Sequence, residues 1–192
     1  MGTISNTFSR TFLAGFGLSC AMFASLPAFA TVANHNITEA EVTRAQQAWG
    51  KALIQISDDF GKGGLPLATQ TAKNVLDQAY GYNLGPVLFK PTLTSGEQTF
   101  RTNYEGALSY FVGANPKFSQ DGGFALKGWT GYQFKNAAVL INGDLAVTMG
   151  NVMLTDKHGK VTTVDKTWGF KKSPDGSIRI VLHHSSLPYS AK

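Results

Sequence analysis

Cysteine is almost missing from these 192 residues, Cys20 being the one thiol. Beyond that position the chain can form no disulfide, use no thiolate nucleophile and bind no cysteine-held zinc or iron. Charge runs are missing too. The 17 basic and 12 acidic residues leave a net charge of +5, but the longest basic run is Lys171-Lys172, so there is no nucleic-acid footprint. No apolar run has the roughly 20 residues that a membrane-spanning helix needs. The four histidines, His35, His158, His183 and His184, show neither HxH nor HExxH spacing and have no acidic cluster beside them. There is no GxSxG elbow, and Gly61-Lys62-Gly63-Gly64 lacks the spacing of a phosphate loop, so acyl-serine and P-loop chemistries lose their usual signatures.

What is present begins with a leader. Residues 1–30 carry one positive charge, Arg10, no acid, an apolar stretch from Phe12 to Phe23 and a small-x-small ending at Ala28-Phe29-Ala30. This pattern predicts a secretory signal peptide cleaved after Ala30 and a periplasmic or secreted bacterial product with no membrane attachment. Cys20 follows Gly17-Leu18-Ser19, which puts the leucine in the wrong place for a lipoprotein signal. The remainder, residues 31–192, has the length of one domain, and it contains no repeat, low-complexity tract or linker.

Helical periodicity fills the first half of that domain. A capping box from Thr38 to Glu41 opens a helix whose stripe is Val42, Ala45, Trp49, Leu53, Ile56 and Phe60, and glycines stop it after Phe60. A second helix fits residues 67–82, with Ala68, Ala72, Val75 and Ala79 on one side. A third is expected within residues 95–114, where Phe100, Tyr104, Leu108 and Phe111 share a face and Gly113 closes it. Between these, Pro86 and Pro91 bound a short extended segment. From Phe118 the period becomes two, with turns at Asn142-Gly143, residues 157–160 and residues 173–177. Three helices followed by an antiparallel meander of four to six strands predict a cone-shaped α+β fold with helices packed on a curved antiparallel sheet, as in nuclear-transport-factor-like proteins. The pocket should lie inside the cone.

The closing segment, IRIVLHHSS over residues 178–186, holds the densest chemistry. In a regular strand Arg179, Val181, His183 and Ser185 face one way, while Ile180, Leu182, His184 and Ser186 face the other. That alternation separates the two histidines, so the pair makes a poor metal site. A guanidinium, an imidazole and a hydroxyl at two-residue spacing suit a small planar oxyanion. The solvent-facing side of an edge strand would show the same pattern. By default Trp49, Trp129 and Trp168 are packing residues, and Tyr110 is a core residue with a satisfied hydroxyl.

Three stretches, VLFKPTLT (87–94), FRTNYEGALSYFVG (100–113) and DKTWGFKKSPDGSIRIVLHHSSLPY (165–189), resemble the iota-class carbonic anhydrases. These are exported bacterial relatives of the calcium/calmodulin-dependent kinase association domain. The resemblance covers roughly residues 39–189, and the closing signature stands here as His183-His184-Ser185-Ser186. It implies reversible hydration of carbon dioxide without metal or other cofactor, with Thr92, Tyr110 and Ser185 around bicarbonate. The chemistry of that reaction adds His183 or Tyr110 as proton relay, Arg179 as a further donor, and Phe111 and Trp168 as apolar lining. A homodimer is also expected. A non-catalytic periplasmic module binding a small anion, or an assembly domain, would use the same fold.

Overall fold

The computed structural model describes residues 1–3 and 34–190. Apart from its first three residues, the expected leader lies outside the described residues. The structured unit beginning at Asn34 opens with α1, Glu39–Ala79, and the predicted capping box is formed: Thr38 N donates to Glu41 Oε2 at 2.8 Å, and Glu41 N to Thr38 Oγ1 at 3.3 Å. The predicted break between two helices is a kink. Gly64 takes φ 63°, ψ −159°, a conformation that costs glycine little, and Pro66 starts the second half without needing an N–H partner. Val42, Trp49, Leu53 and Ile56 are buried before the kink, and Ala68, Ala72 and Leu76 after it. Phe60, at the end of the expected stripe, is exposed.

The expected third helix is shorter than its pattern. α2 spans Tyr104–Val112, capped by Asn103 Oδ1 accepting from Gly106 N and closed by Gly113 at φ 68°. Phe100 lies before it and is 69% exposed, because Arg101 N is drawn into a bond with the Phe89 carbonyl and the chain stays extended there. The proline-bounded segment forms β1, Leu88–Lys90.

The remaining strands are β2 (Trp129–Asn142), β3 (Leu145–Asp156), β4 (Val161–Lys172) and β5 (Ile178–Ser186), in the order β1-β5-β4-β3-β2. The meander β2 to β5 is antiparallel as expected, whereas β1 joins the edge of β5 in parallel. Parallel pairing needs a long crossover, and the chain from β1 to β5, through α2 and the meander, supplies it.

Two irregularities shape the inner face. On β2 a bulge between Asn136 and Ala138 faces Gly150, where Asn136 and Gln46 exchange amide hydrogen bonds of 2.9 and 3.0 Å and tie α1 to the sheet. A Cβ at Gly150 would meet the Lys135 carbonyl and come within 2.8 Å of Asn136 Cα. On β5, Gly169 pairs with Leu182 but Phe170 pairs with Ile180, so Val181 is an extra residue that β4 does not match. Ile180 and His183 are therefore both buried, although a regular strand would place them on opposite faces.

Gly150→Ala is expected to lower unfolding free energy by about 1–3 kcal/mol, the usual range for overpacking against backbone. Urea denaturation should show an earlier midpoint at unchanged slope.

Candidate active site

β4 alternates Val164, Lys166, Trp168 and Phe170 toward the interior, all buried. Lys166 pairs with Ser185, and Trp168 with His183, on β5. This register sets an amine, an imidazole and a hydroxyl on neighbouring inner positions of two strands. Lys166 Nζ lies 2.5 Å from His183 Nε2 and 3.2 Å from Ser185 Oγ. It also stands over the rings of Trp49 and Trp168, at 4.6 and 5.1 Å from their centres.

β1 completes the site from the sheet edge. Its Phe89 stacks on the His183 ring at 4.3 Å. Pro91 then turns the chain so that Thr92 Oγ1 donates to Ser185 Oγ at 2.9 Å. Lys90 Nζ holds the Ser185 carbonyl at 3.0 Å. From α1, Trp49 Nε1 donates to Tyr80 Oη at 3.0 Å, and that hydroxyl meets His183 Nδ1 at 2.7 Å. One continuous chain thus runs Trp49–Tyr80–His183–Lys166–Ser185–Thr92.

Tyr110, on α2, packs edge-on to Phe89 and parallel to Phe124. Its hydroxyl is buried beside the Thr92 hydroxyl and the Thr92–Leu93 backbone, without a hydrogen bond of regular geometry to either. A buried orphan hydroxyl costs on the order of 1–3 kcal/mol, which a ligand can recover. A cavity of about 210 Å³ adjoins this ring, bordered by Leu93, Gln120, Phe124 and Lys127.

Burial dominates the electrostatics. It lowers the Lys166 amine well below the usual lysine range, and it lowers His183 as well, with the neighbouring Lys166 charge adding to the effect. Burial raises the phenols of Tyr80 and Tyr110, so both remain protonated at neutral pH. The cluster contains no carboxylate. Asp165, next in sequence to Lys166, faces the other side of β4 and accepts from Asn151 Nδ2 at 2.9 Å.

The structure brings together Thr92, His183 and Ser185 of the predicted site residues, with Tyr110 beside Thr92. It separates Arg179 from them. The extra residue at Val181 reverses the alternation, and Arg179 Nη1 instead donates to the carbonyls of Asp77 (2.6 Å) and Gln78 (2.5 Å) at the end of α1. There it serves as a C-terminal cap. Phe111 and Trp168 are packed rather than lining an open cavity: Phe111 stacks on Phe89 at 5.9 Å, and Trp168 lies beneath Lys166. His184 is exposed on the outer face, so the two histidines are separated as alternation predicts. Among the described residues no group of three or more His, Cys, Asp or Glu converges.

Lys166, Tyr80 and Trp49 were not foreseen. Lys166 was accessible to the alternation argument, since a lysine between Val164 and Trp168 shares their apolar face. Tyr80 has no such signal, because its place depends on how the end of α1 docks against β5.

Together these features describe an α+β cone with a buried hydroxyl site backed by an amine–imidazole pair, suited to a small trigonal anion. Residues 40–187 match the profile of the metal-independent carbonic anhydrase family. The metal-independent carbonic anhydrase of Nostoc sp. (strain PCC 7120) is 55% identical over 158 residues, spanning 82% of this chain and 77% of that protein. The crystal structure of an iota-carbonic anhydrase from a cyanobacterium, complexed with bicarbonate, superposes with a TM-score of 0.83 at 53% identity, covering 85% of this chain and 99% of that one. A protein of Xanthomonas campestris, described as a calcium/calmodulin-dependent protein kinase II association domain, shares the fold at 22% identity and TM-score 0.51, over 87% of this chain and all of that one. The chain belongs to the metal-independent carbonic anhydrase family, whose reaction interconverts carbon dioxide and bicarbonate.

If Arg179 acts only as a cap, Arg179→Met will leave carbon dioxide hydration within about twofold of wild type. It will cost roughly 1.5–3 kcal/mol of stability, the range for hydrogen bonds that involve a charged group. A loss of turnover with unchanged stability would return Arg179 to the active site.

Proposed function

We propose that this chain hydrates carbon dioxide reversibly by holding the bicarbonate oxygens among the hydroxyls of Thr92, Tyr110 and Ser185. The observation that carries this reading is the 2.9 Å contact between Thr92 and Ser185, from opposite halves of the chain, beside the unpartnered Tyr110 hydroxyl. The bicarbonate bound in the cyanobacterial relative supports the same ligand here. Phe89, Phe124 and Leu93 give the site an apolar side compatible with uncharged carbon dioxide, while the hydroxyls meet charge that appears only as the C–O bond forms. Donors fixed in a water-poor interior stabilise such charge more strongly than they would in bulk water. His183, held between Tyr80 and Lys166, is placed to manage the released proton through Lys166 and Ser185 rather than by direct contact.

The proposal extends to the chain's setting. The mature protein begins at Thr31 after export to the periplasm or exterior, and it forms a homodimer. Leu140, Leu145, Met149 and Val161, exposed on β2 to β4, support pairing through the outer sheet face.

Stopped-flow hydration by the chelator-treated protein tests the activity. Wild type should remain active, with Thr92→Ala, Tyr110→Phe and Ser185→Ala each lowering kcat/KM by roughly 10- to 1000-fold, as removal of a transition-state donor does. Equal inactivity of all four proteins would leave a binding module as the function. Mass spectrometry of the exported protein should give Thr31 as the first residue, and light scattering should give twice the chain mass. An intact leader or a monomer would reject those two statements.

A further inference from the structure

Counting hydrogens in the buried chain defines what the site can hold. An indole N–H can only donate, so Trp49 fills an acceptor position of Tyr80 Oη. His183 Nδ1 is the other partner of that hydroxyl, so the Tyr80 proton is satisfied by donating to Nδ1. Neutral His183 then carries its own proton on Nε2, facing Lys166 Nζ, and the contact is a hydrogen bond when Nζ offers a lone pair. The reverse assignment, an ammonium donating to Nε2, leaves the buried Tyr80 proton without an acceptor and a charge without a counter-ion. The indole faces of Trp49 and Trp168 would offset only a small part of that ammonium's burial cost.

In either state Lys166 donates to Ser185 Oγ, and Thr92 Oγ1 donates to the same oxygen. Both acceptor positions of that hydroxyl are then filled, and its proton is left for the pocket. Three hydroxyls hold three protons, and the Thr92–Ser185 bond uses one. Two donors remain, on Ser185 and Tyr110, together with the free lone pairs of Thr92. Bicarbonate has two oxygens that share its charge and one O–H, which is the complement of two donors and one acceptor. Carbonate, nitrate and formate have no O–H to offer Thr92.

We propose that Lys166 is a positioning residue which, with Thr92, fixes the hydrogen-bond polarity of Ser185 and so makes the pocket selective for a singly protonated trigonal oxyanion over anions of similar shape that lack an O–H. This deepens the bicarbonate reading and rests on it. Lys166 touches Ser185 and not the ligand, so its substitution acts through the direction of a proton rather than through a lost contact. The selectivity favours bicarbonate over carbonate, which shares its shape but has no proton.

The test is competition between nitrogen-15-labelled nitrate and unlabelled bicarbonate on the mature protein, followed by the nitrate NMR line width, so that binding is read on an ion that the protein does not turn over. Wild type should bind bicarbonate at least about tenfold more tightly than nitrate, the ratio expected for one hydrogen bond of roughly 1.4 kcal/mol. Thr92→Ala should bring the two within about twofold. Lys166→Met, which replaces a buried amine by a side chain of similar length, should reduce the ratio and kcat, with a cooperative melting transition showing that the variant is folded. Lysine nitrogen-15 NMR should show Lys166 as a neutral amine at pH 7. Equal nitrate and bicarbonate affinity in wild type, or an unchanged ratio in a folded Lys166→Met, would overturn the proposal. An inactive wild type that still prefers bicarbonate would reject catalysis while preserving the selectivity.

Discussion

Everything at the site depends on the parallel pairing of β1 with β5, in which Leu88, Phe89 and Lys90 lie against Leu182, His183 and His184. Apart from a single bridge between Tyr80 and Ile180, this three-residue strand is what the helical half contributes to the sheet among the described residues. It places Phe89 on the His183 ring and carries Thr92, two residues past Lys90, to the Ser185 hydroxyl. Pro91 cannot continue the ladder, so the chain leaves the sheet at the point where Thr92 must turn inward. Without this edge strand the serine and histidine would remain on β5, but the second hydroxyl of the pocket would have no reason to be near them.

A second constraint acts along β5 itself. The unmatched Val181 lets Ile180 close the core against Phe170 while His183 and Ser185, three and five residues later, also face inward. The same irregularity sends Arg179 outward to the end of α1, where it stabilises the helix whose last turn leads to Tyr80. The bulge therefore joins two effects: it removes a cation from the pocket and steadies the element that orients the imidazole. The pocket is left with hydroxyl donors and an amine whose burial disfavours charge, an arrangement that stabilises an anion without holding it as a fixed cation would.

The apolar shell around Lys166 is part of the same logic. Trp49, Trp168 and Phe89 exclude water from an amine, an imidazole and a phenol that would each be independently solvated at a surface. Enclosed together, they must satisfy one another, and donor-only Trp49 gives the chain a direction. The buried pair of Arg101 and Asp121, at 2.8 Å with Ser109 also donating to Asp121, works similarly on the other side, fixing the loop that borders the cavity next to Tyr110. Polar groups deep in this cone specify a geometry, whereas its stability comes from the aromatic and aliphatic packing around them.

Local signals carried much of this architecture. The capping box at Thr38 and Glu41, the break near Gly64, a hairpin one residue on from the expected Asn142-Gly143, with Gly143-Asp144 as its turn, and the separation of His183 from His184 follow from near-neighbour geometry, which a single chain displays in its order of residues. The family stretches likewise brought Thr92, Tyr110 and Ser185 forward as candidates. Other features depend on which strand meets which. The inward turn of β5 arises from a one-residue mismatch with β4, the helix expected through Phe100 is cut short by a bond to β1, and Lys166 meets Ser185 because its register places it opposite that residue. Sequence by itself determined the elements and the supply of hydroxyls. Tertiary structure decided which hydroxyls meet, which cation leaves and which amine stays, because hydrogen-bond partners 17 to 103 residues apart are set by strand register and burial, not by spacing along the chain.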